Sequence, residues 1–217
     1  MPENPPFELE SFWWVYFVRG AAREAYSDEQ HELMLSEHVG NLERIWKEGK
    51  SVVGGPFTGD GARRGIVVMK GDAFKDTAGV RREFADDPLV KSRLLKVQVF
   101  KWWTKKGALH EVKADAKRKQ YVFVIYNRPD DRPEFDDDFT EKTQAAHLAY
   151  IGEMQEKHKL LIAGPFEDAG AMRGILIFDR TDLDEVKKIV GADPWVVAGG
   201  LAAEYLTLSA AQGAFGD

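Results

Sequence analysis

GPFTGDGARRGI at residues 55–66 returns 109 positions later as GPFEDAGAMRGI at residues 164–175, with eight of twelve letters the same. The match extends upstream without a gap, pairing Val15 with Val124, Arg19 with Arg128, Arg23 with Arg132, Glu32 with Glu141, His38 with His147 and Lys50 with Lys159. Beyond Ile66 the register slips by three, and Asp87-Pro88-Leu89-Val90 answers Asp193-Pro194-Trp195-Val196. The chain is a tandem duplication, so the residues that both copies retain are the first candidates for what the unit does. The chemically capable ones are few: a His, an Asp and some Arg.

Each copy carries the same order of elements. Residues 12–18 (FWWVYFV) and 121–126 (YVFVIY) are short, aromatic and β-branched, which reads as a strand. They lack polar alternation, so both faces are covered: helices on one side and a second sheet on the other. A helix follows over 28–48 and 139–157, with Ser27/Gln30 and Asp138/Glu141 as capping pairs. Two strands then flank the GPF turn, over 50–53 and 65–70 in copy 1 and 159–163 and 174–179 in copy 2. A second helix over 74–86 and 183–191 stops at Asp-Pro, because a residue before proline avoids the helical region. Strands over 94–103 and 203–209 complete the units. The order β-α-β-β-α-β is that of a ferredoxin-like unit with both helices on one face of its sheet. The fold expected is therefore α+β: two such units in one chain, packed sheet to sheet as an intrachain pseudo-dimeric α+β barrel. The units fall at 11–104 and 120–210, with a charged linker at 105–119 and arms or frayed tails at 1–11 and 210–217.

At 217 residues the chain suits two small units. A net charge of −6 argues against a nucleic-acid or anionic-membrane binder. No apolar run approaches the ~20 residues of a membrane span, and MPENPPFELES lacks the pattern of a signal peptide, so a cytoplasmic location is expected. The chain has no cysteine, which removes disulfides, thiolate nucleophiles and Cys-ligated metal clusters.

His38 and His147 are the central candidates. His38 shares a helical face with Met34, Leu35, Leu42 and Ile45, and His147 with Tyr150, Ile151 and Met154, so both imidazoles are expected to face the sheet. An imidazole titrates near neutrality and suits general acid–base work; the alternative is a core His satisfied by a backbone carbonyl. Asp87 and Asp193 end the second helices on the same side of the sheet, within reach of orienting those rings. Simple termination of a helix is the competing account of Asp-Pro. Arg19 and Arg128 end the first strands and Arg64 and Arg173 precede the third, where a guanidinium clamps a carboxylate or phenolate of a substrate; ordinary surface pairing is the alternative. No matched serine supports a nucleophile triad. One His and one Asp per copy are too few for a metal site, and GPFxxxGAxRG is not a dinucleotide or phosphate-loop fingerprint, so no metal and no cofactor are expected.

His147-Leu148-Ala149-Tyr150, LLIAGPFED at 160–168 and ADPWVVAG at 192–199 resemble the YCII-related family of small bacterial proteins. Copy 1 is similar at His38, Gly49-Lys50, Gly55-Pro56-Phe57 and Asp87-Pro88, but has Lys91, Ser92 and Arg93 where the family usually places Ala-Gly. The resemblance implies the dimeric α+β barrel superfamily and a His/Asp pair in a pocket between helices and sheet, mapping to His38 with Asp87 and His147 with Asp193. It also implies superfamily relatives that act on small ring compounds: a dehydrochlorinase of chlorinated hydroxyquinols, muconolactone isomerases and cofactor-free monooxygenases. The expected partner is a small-molecule substrate, with the intrachain pseudo-dimer leaving room for a further homodimer. Copy 2 is expected to be the active one, because Ala198, Gly199 and Gly200 leave space for a ligand. A non-catalytic binding module with structural His and Asp is the rival reading.

Overall fold

The structure, a computed structural model, describes residues 8–20, 26–113 and 115–216. Arg23 and the start of the expected N-terminal tail lie outside the described residues. The first half runs β1 (Leu9–Arg19), α1 (Asp28–Lys47), β2 (Ser51–Pro56), β3 (Arg63–Lys70), α2 (Thr77–Arg82), α3 (Pro88–Lys91) and β4 (Leu95–Lys105). The second half repeats it as β5 (Arg118–Asn127), α4 (Asp137–Lys157), β6 (Leu160–Glu167), β7 (Met172–Phe178), α5 (Leu183–Gly191), α6 (Pro194–Val197) and β8 (Ala202–Ala211). The four-residue helices α3 and α6 are additions to the expected order. They are too short to leave a periodic signal, and the Asp-Pro read as a stop is also a start: the Asp caps and the proline takes the first helical turn. Helix α1 opens on the expected Ser27/Gln30 capping box, whereas α4 is capped two residues earlier than expected, by Asp136.

All eight strands form one antiparallel sheet in the order β2-β3-β1-β4-β6-β7-β5-β8. Within each half the first strand is central, which is why its residues are apolar throughout. Phe12, Trp14 and Tyr16 enter one core with Tyr121, Phe123 and Ile125, drawn from both halves. Trp13, Val15 and Phe17 face the other way, onto Ile45 of α1 and Val80 of α2; Val122, Val124 and Tyr126 meet Met154 of α4 and Val186 of α5. The shared core is aromatic, with Trp14 edge-on to Trp102 at 5.0 Å and 5.7 Å from Phe123 between ring centroids. Burial pushes the Tyr16 hydroxyl far above the usual phenol range, against the pull of the Arg63 guanidinium above its ring.

The halves join twice in matching ways. Trp102 of β4 pairs with Phe166 at the end of β6, and Phe57, just after β2, bridges Leu208 of β8, where the Thr58 amide donates to the Thr207 carbonyl at 2.9 Å. By the repeat, Phe57 answers Phe166, and Leu208 answers Trp102. The outer strands of the sheet thus meet each other. Of the two readings of the C-terminal end, the packed arm is the one found: Ala214 and Phe215 are buried, and Phe215 bridges Leu109 and lies edge-on to Tyr121 at 5.2 Å. Its alanines and single aromatic fill the end of the shared core, a role that composition alone does not announce. Residues 106–117 form no helix or strand among the described residues, yet Ala108 is buried and Leu109 and Val112 pack on the same core. No helix among the described residues is long and apolar enough to cross a membrane.

Arg93 adopts φ 62°, in the left-handed region, at the position where copy 2 has Gly199 with φ 72°. A side chain there is strained by roughly 1–2 kcal/mol, so Arg93→Gly is expected to raise stability by about 0.5–1 kcal/mol after the extra freedom of glycine in the unfolded chain is subtracted. Chemical denaturation of the variant checks this; an unchanged or lower midpoint would mean that the Arg93 side chain contributes more than its backbone strain costs.

Candidate active site

Both expected pairs are formed. His38 projects from α1 toward β1, with Phe17 edge-on to its ring at 4.9 Å, and its Nδ1 lies 2.8 Å from Oδ2 of Asp87. In copy 2, Nδ1 of His147 lies 2.8 Å from Oδ2 and 3.0 Å from Oδ1 of Asp193. Both carboxylates are buried. The two accounts of Asp-Pro therefore hold together. Oδ1 of Asp87 caps α3 by accepting the Leu89 amide at 3.1 Å, which leaves Oδ2 for the imidazole, and Oδ1 of Asp193 caps α6 through the Trp195 amide at 2.9 Å. A cap fixes the carboxylate and the carboxylate fixes the ring. The helical-face reading fails for one neighbour of His38, since Leu35 is 53% exposed, as are Leu33 and Val39 to a similar degree; the stripe through Met34, His38, Leu42 and Ile45 turns inward.

Each carboxylate has one more side-chain partner, and the two copies exchange its source. In copy 1 it is Asn41, whose amide donates to Oδ2 of Asp87 at 3.0 Å from α1, while the strand position holds Phe17. In copy 2 the strand position holds Tyr126, whose hydroxyl donates to Oδ2 of Asp193 at 3.0 Å. The helix position there holds Tyr150, which turns its hydroxyl to the Ile189 carbonyl. Matching residues between copies misses Asn41 and Tyr126 because neither recurs; the usable signal is that both positions change together. Burial, and then the adjoining Asp193 charge and hydrogen bond, push the Tyr126 hydroxyl far above the usual phenol range, so it remains a donor.

Burial alone would raise the Asp87 carboxyl, but the His38 and Asn41 hydrogen bonds and the imidazole charge outweigh it and hold the group below its ordinary value. A carboxylate with a depressed pKa stabilises the fold fully above its unfolded pKa, about 3.9, and loses that contribution as pH falls through the lower folded value. Asp87→Asn is therefore expected to be less stable than the parent by roughly 1–3 kcal/mol at pH 5, with the gap narrowing toward pH 3. Thermal melts across that window check it, and a gap that widens in acid would show the sign to be wrong.

With Nδ1 held by a carboxylate, the neutral ring carries its proton there and presents Nε2 as a base. Neither Nε2 has a hydrogen-bond partner among the described residues, and neither is sealed from solvent. A cavity of about 460 Å³ opens beside the first pair, lined by Glu37, Asn41, Arg44, Glu83, Asp86 and Asp87 among others. The space expected at Gly200 is already taken: a Cβ there would lie 2.4 Å from the Trp195 ring. Copy 1 has Leu94 and Leu89 at these two places, so the small residue at Gly200 accommodates the larger aromatic.

The arginines lie apart from the His/Asp hydrogen bonds. Arg19 and Arg64 converge on the β2–β3 loop. Arg19 donates to the Asp60 carbonyl at 2.9 Å and lies 3.5 Å from its carboxylate; Arg64 donates to the Gly59 carbonyl at 2.8 Å and lies 3.8 Å from Oδ1 of Asp60. Arg128 and Arg173 have no side-chain partner among the described residues, and Ala169 stands where copy 1 has Asp60. Among the described residues no three His, Asp or Glu side chains are grouped to hold a metal ion.

The model of the YCII-related domain matches residues 120–208. The second half of the chain is thus similar to a YCII-related domain. That match contains His147 and Asp193; the first half follows it only through the repeat. No curated protein matches the chain. Among solved structures, a heme-binding protein from Thermus thermophilus is similar at 14% identity and a TM-score of 0.56, over 94% of this chain and 93% of the other. A mutant chlorite dismutase from Candidatus Nitrospira defluvii is similar at 10% identity and a TM-score of 0.57, over 95% and 93%. At such identities the likeness is one of fold, that of the dimeric α+β barrel proteins, and it spans both halves.

Proposed function

We propose that the chain is an intrachain pseudo-dimer of two ferredoxin-like YCII units, and that its second unit is a cofactor-independent enzyme which moves a proton on a small aromatic, quinone or lactone-like compound. The observation that carries this reading is the orientation of His147: Nδ1 tied to a buried, capped Asp193, Nε2 open. In this reading Nε2 takes a proton from an acidic C–H or O–H of the substrate. The Asp193 carboxylate stabilises the imidazolium that results, and the Tyr126 hydroxyl holds that carboxylate in place. The proton returns from Nε2 to another atom of the substrate in an isomerisation, or leaves with a departing group in an elimination. Arg128 and Arg173 are the candidate partners for the enolate or phenolate oxygen that develops. His38 and Asp87 form a second pair of the same geometry.

The heme named for one structural neighbour is not carried over. The helix-facing side of β5 and β7 is filled by Val122, Val124, Leu176 and Phe178, all buried against Met154 and Val186, and offers no slot for a macrocycle. The rival reading, a binding module with structural His and Asp, shares every contact but needs no titrating Nε2. A screen of small ring compounds against the purified protein, followed through the imidazole NMR signals, separates the two. Binding with conversion and a shift at His147 Nε2 supports the enzyme, whereas binding with both rings undisturbed supports the module.

A further inference from the structure

Copy 1 and copy 2 differ in how the arginines around the loop after the GPF turn are paired. In copy 1 the aligned arginines Arg19 and Arg64 already share an internal anion, Asp60. In copy 2 the same two positions are Arg128 and Arg173, the position of Asp60 is Ala169, and a third cation joins them. Arg132 is held by a turn in which its amide donates to the Pro129 carbonyl at 3.3 Å. The adjoining Pro133 lies against Gly199, just beyond α6. The Arg132 guanidinium sits over Phe135 at 5.0 Å and over Trp195 at 5.6 Å from the ring centroids, and its Nε is buried without a hydrogen-bond partner. Burial, and then the charges of Arg128 and Arg173, lower the pKa of Arg132. None of the three is in an ion pair among the described residues, although Asp130, Asp131 and Asp168 neighbour them in the chain, and an incoming anion relieves the repulsion between them.

We infer that Arg128, Arg132 and Arg173 form a receptor for an oxyanion, the carboxylate or phosphate of a small ligand, with Arg132 held on an aromatic platform as its fixed donor. The position of Asp60 against Arg19 and Arg64 marks where the anion sits, since copy 1 supplies a carboxylate at the place copy 2 leaves to Ala169. A planar guanidinium presents paired N–H donors to such an oxyanion, and stacking on Trp195 and Phe135 keeps it oriented before the ligand arrives. The receptor is tied to the imidazole through one residue: Trp195 carries Arg132 on its ring while its amide is bound by the same Asp193 that holds His147. The inference thus deepens the proposed function, naming the substrate class as organic acids or phosphate esters, and it rests on that reading only for the link to His147.

The test is a titration of the full chain at low ionic strength, where screening is weakest. Inorganic phosphate and benzoate serve as separate probes, read by calorimetry and by the arginine Nε–H NMR signals. Saturable binding of at least one probe is expected, with the Arg132 signal moving. Preference for phosphate assigns the ligand to phosphate esters, and preference for benzoate to carboxylic acids. Arg128→Gln, Arg132→Gln and Arg173→Gln should each weaken binding roughly tenfold or more, as expected for a lost hydrogen bond to a charged group. Arg132→Lys, which keeps the charge and loses the planar stack, should fall between these and the parent. Ala169→Asp, which supplies the internal anion of copy 1, should abolish binding, while Lys187→Gln, removing a cation elsewhere on the surface, should leave it unchanged. No saturation with either probe, or parental affinity in Arg132→Gln or Ala169→Asp, overturns the inference. Because no turnover is read, the titration returns its expected result even if His147 proves to be structural, and the two readings fail separately.

Discussion

Gly164→Ala is expected to cost the protein roughly 3 kcal/mol or more, the upper range for forcing extra atoms into a packed site, and to lower its melting temperature by about 6–12 °C. A Cβ on Gly164 would lie 2.0 Å from the carbonyl oxygen of Trp103 and 2.8 Å from Nε1 of Trp102. Neither can yield easily. The Trp102 indole donates to the Gly164 carbonyl at 3.0 Å, and the β4 backbone is pinned there by pairing with Phe166. The other join is built alike: a Cβ on Gly55 would lie 1.9 Å from the Ser209 carbonyl, so Gly55→Ala should cost a similar amount. These are the glycines of the repeated GPF turn, and what they supply is close approach between the two halves. Gly152→Ala is the control, since a Cβ there meets nothing within 4 Å on helix α4, and it should stabilise by about 0.5–1 kcal/mol. A Gly164→Ala protein that melts like the parent would show that the halves do not meet at this point.

The repeat made the sheet legible because a duplicated strand with apolar residues on both faces has to be covered twice, and Trp13/Trp14 or Val122/Phe123 state this directly. It made the His/Asp pairs legible for a related reason: two copies retain His38 with Asp87 and His147 with Asp193, and helix order alone places each pair on one side of a sheet. Features that the copies do not share were harder to read. Asn41 and Tyr126 serve the same carboxylate from different elements, so identity at matched positions passes over both. Leu33, Leu35 and Val39 show why an apolar pattern does not fix a helix face by itself, because the helix is turned by His38 and Ile45, the residues with partners beneath them. Trp195 and Gly200 in copy 2, against Leu89 and Leu94 in copy 1, are a size exchange visible only once the ring and the glycine are seen in contact. Arg132 acquires meaning from the aromatic rings beneath it, which lie 3 and 63 residues further along the chain.

His147→Ala is expected to lower turnover of any substrate found by ~10²- to 10⁴-fold, the range for loss of a general acid or base, while His38→Ala mainly costs stability. The asymmetry follows from surroundings rather than from the pairs themselves, which are nearly superposable in their hydrogen bonds. Copy 2 has three arginines without an acidic partner among the described residues, one of which, Arg132, lies over the Trp195 that Asp193 caps, whereas copy 1 has committed the equivalent two to Asp60. Copy 2 also braces its carboxylate from the sheet, through Tyr126, so the side of Asp193 facing α4 is left to the imidazole. Asp193→Asn gives the sharper variant because it preserves shape: an amide in this place can turn its NH₂ toward Nδ1, moving the ring proton to Nε2 and removing the base. It should lose roughly 10²-fold or more in rate with Kd for the anion probes unchanged. Removing either histidine leaves a buried carboxylate short of a partner, a change that costs about 3–5 kcal/mol where a buried pair is broken, so melts must accompany every rate. Equal losses of turnover in His38→Ala and His147→Ala, both still folded, would move the activity to both copies; full activity in folded His147→Ala would remove it from the imidazole altogether.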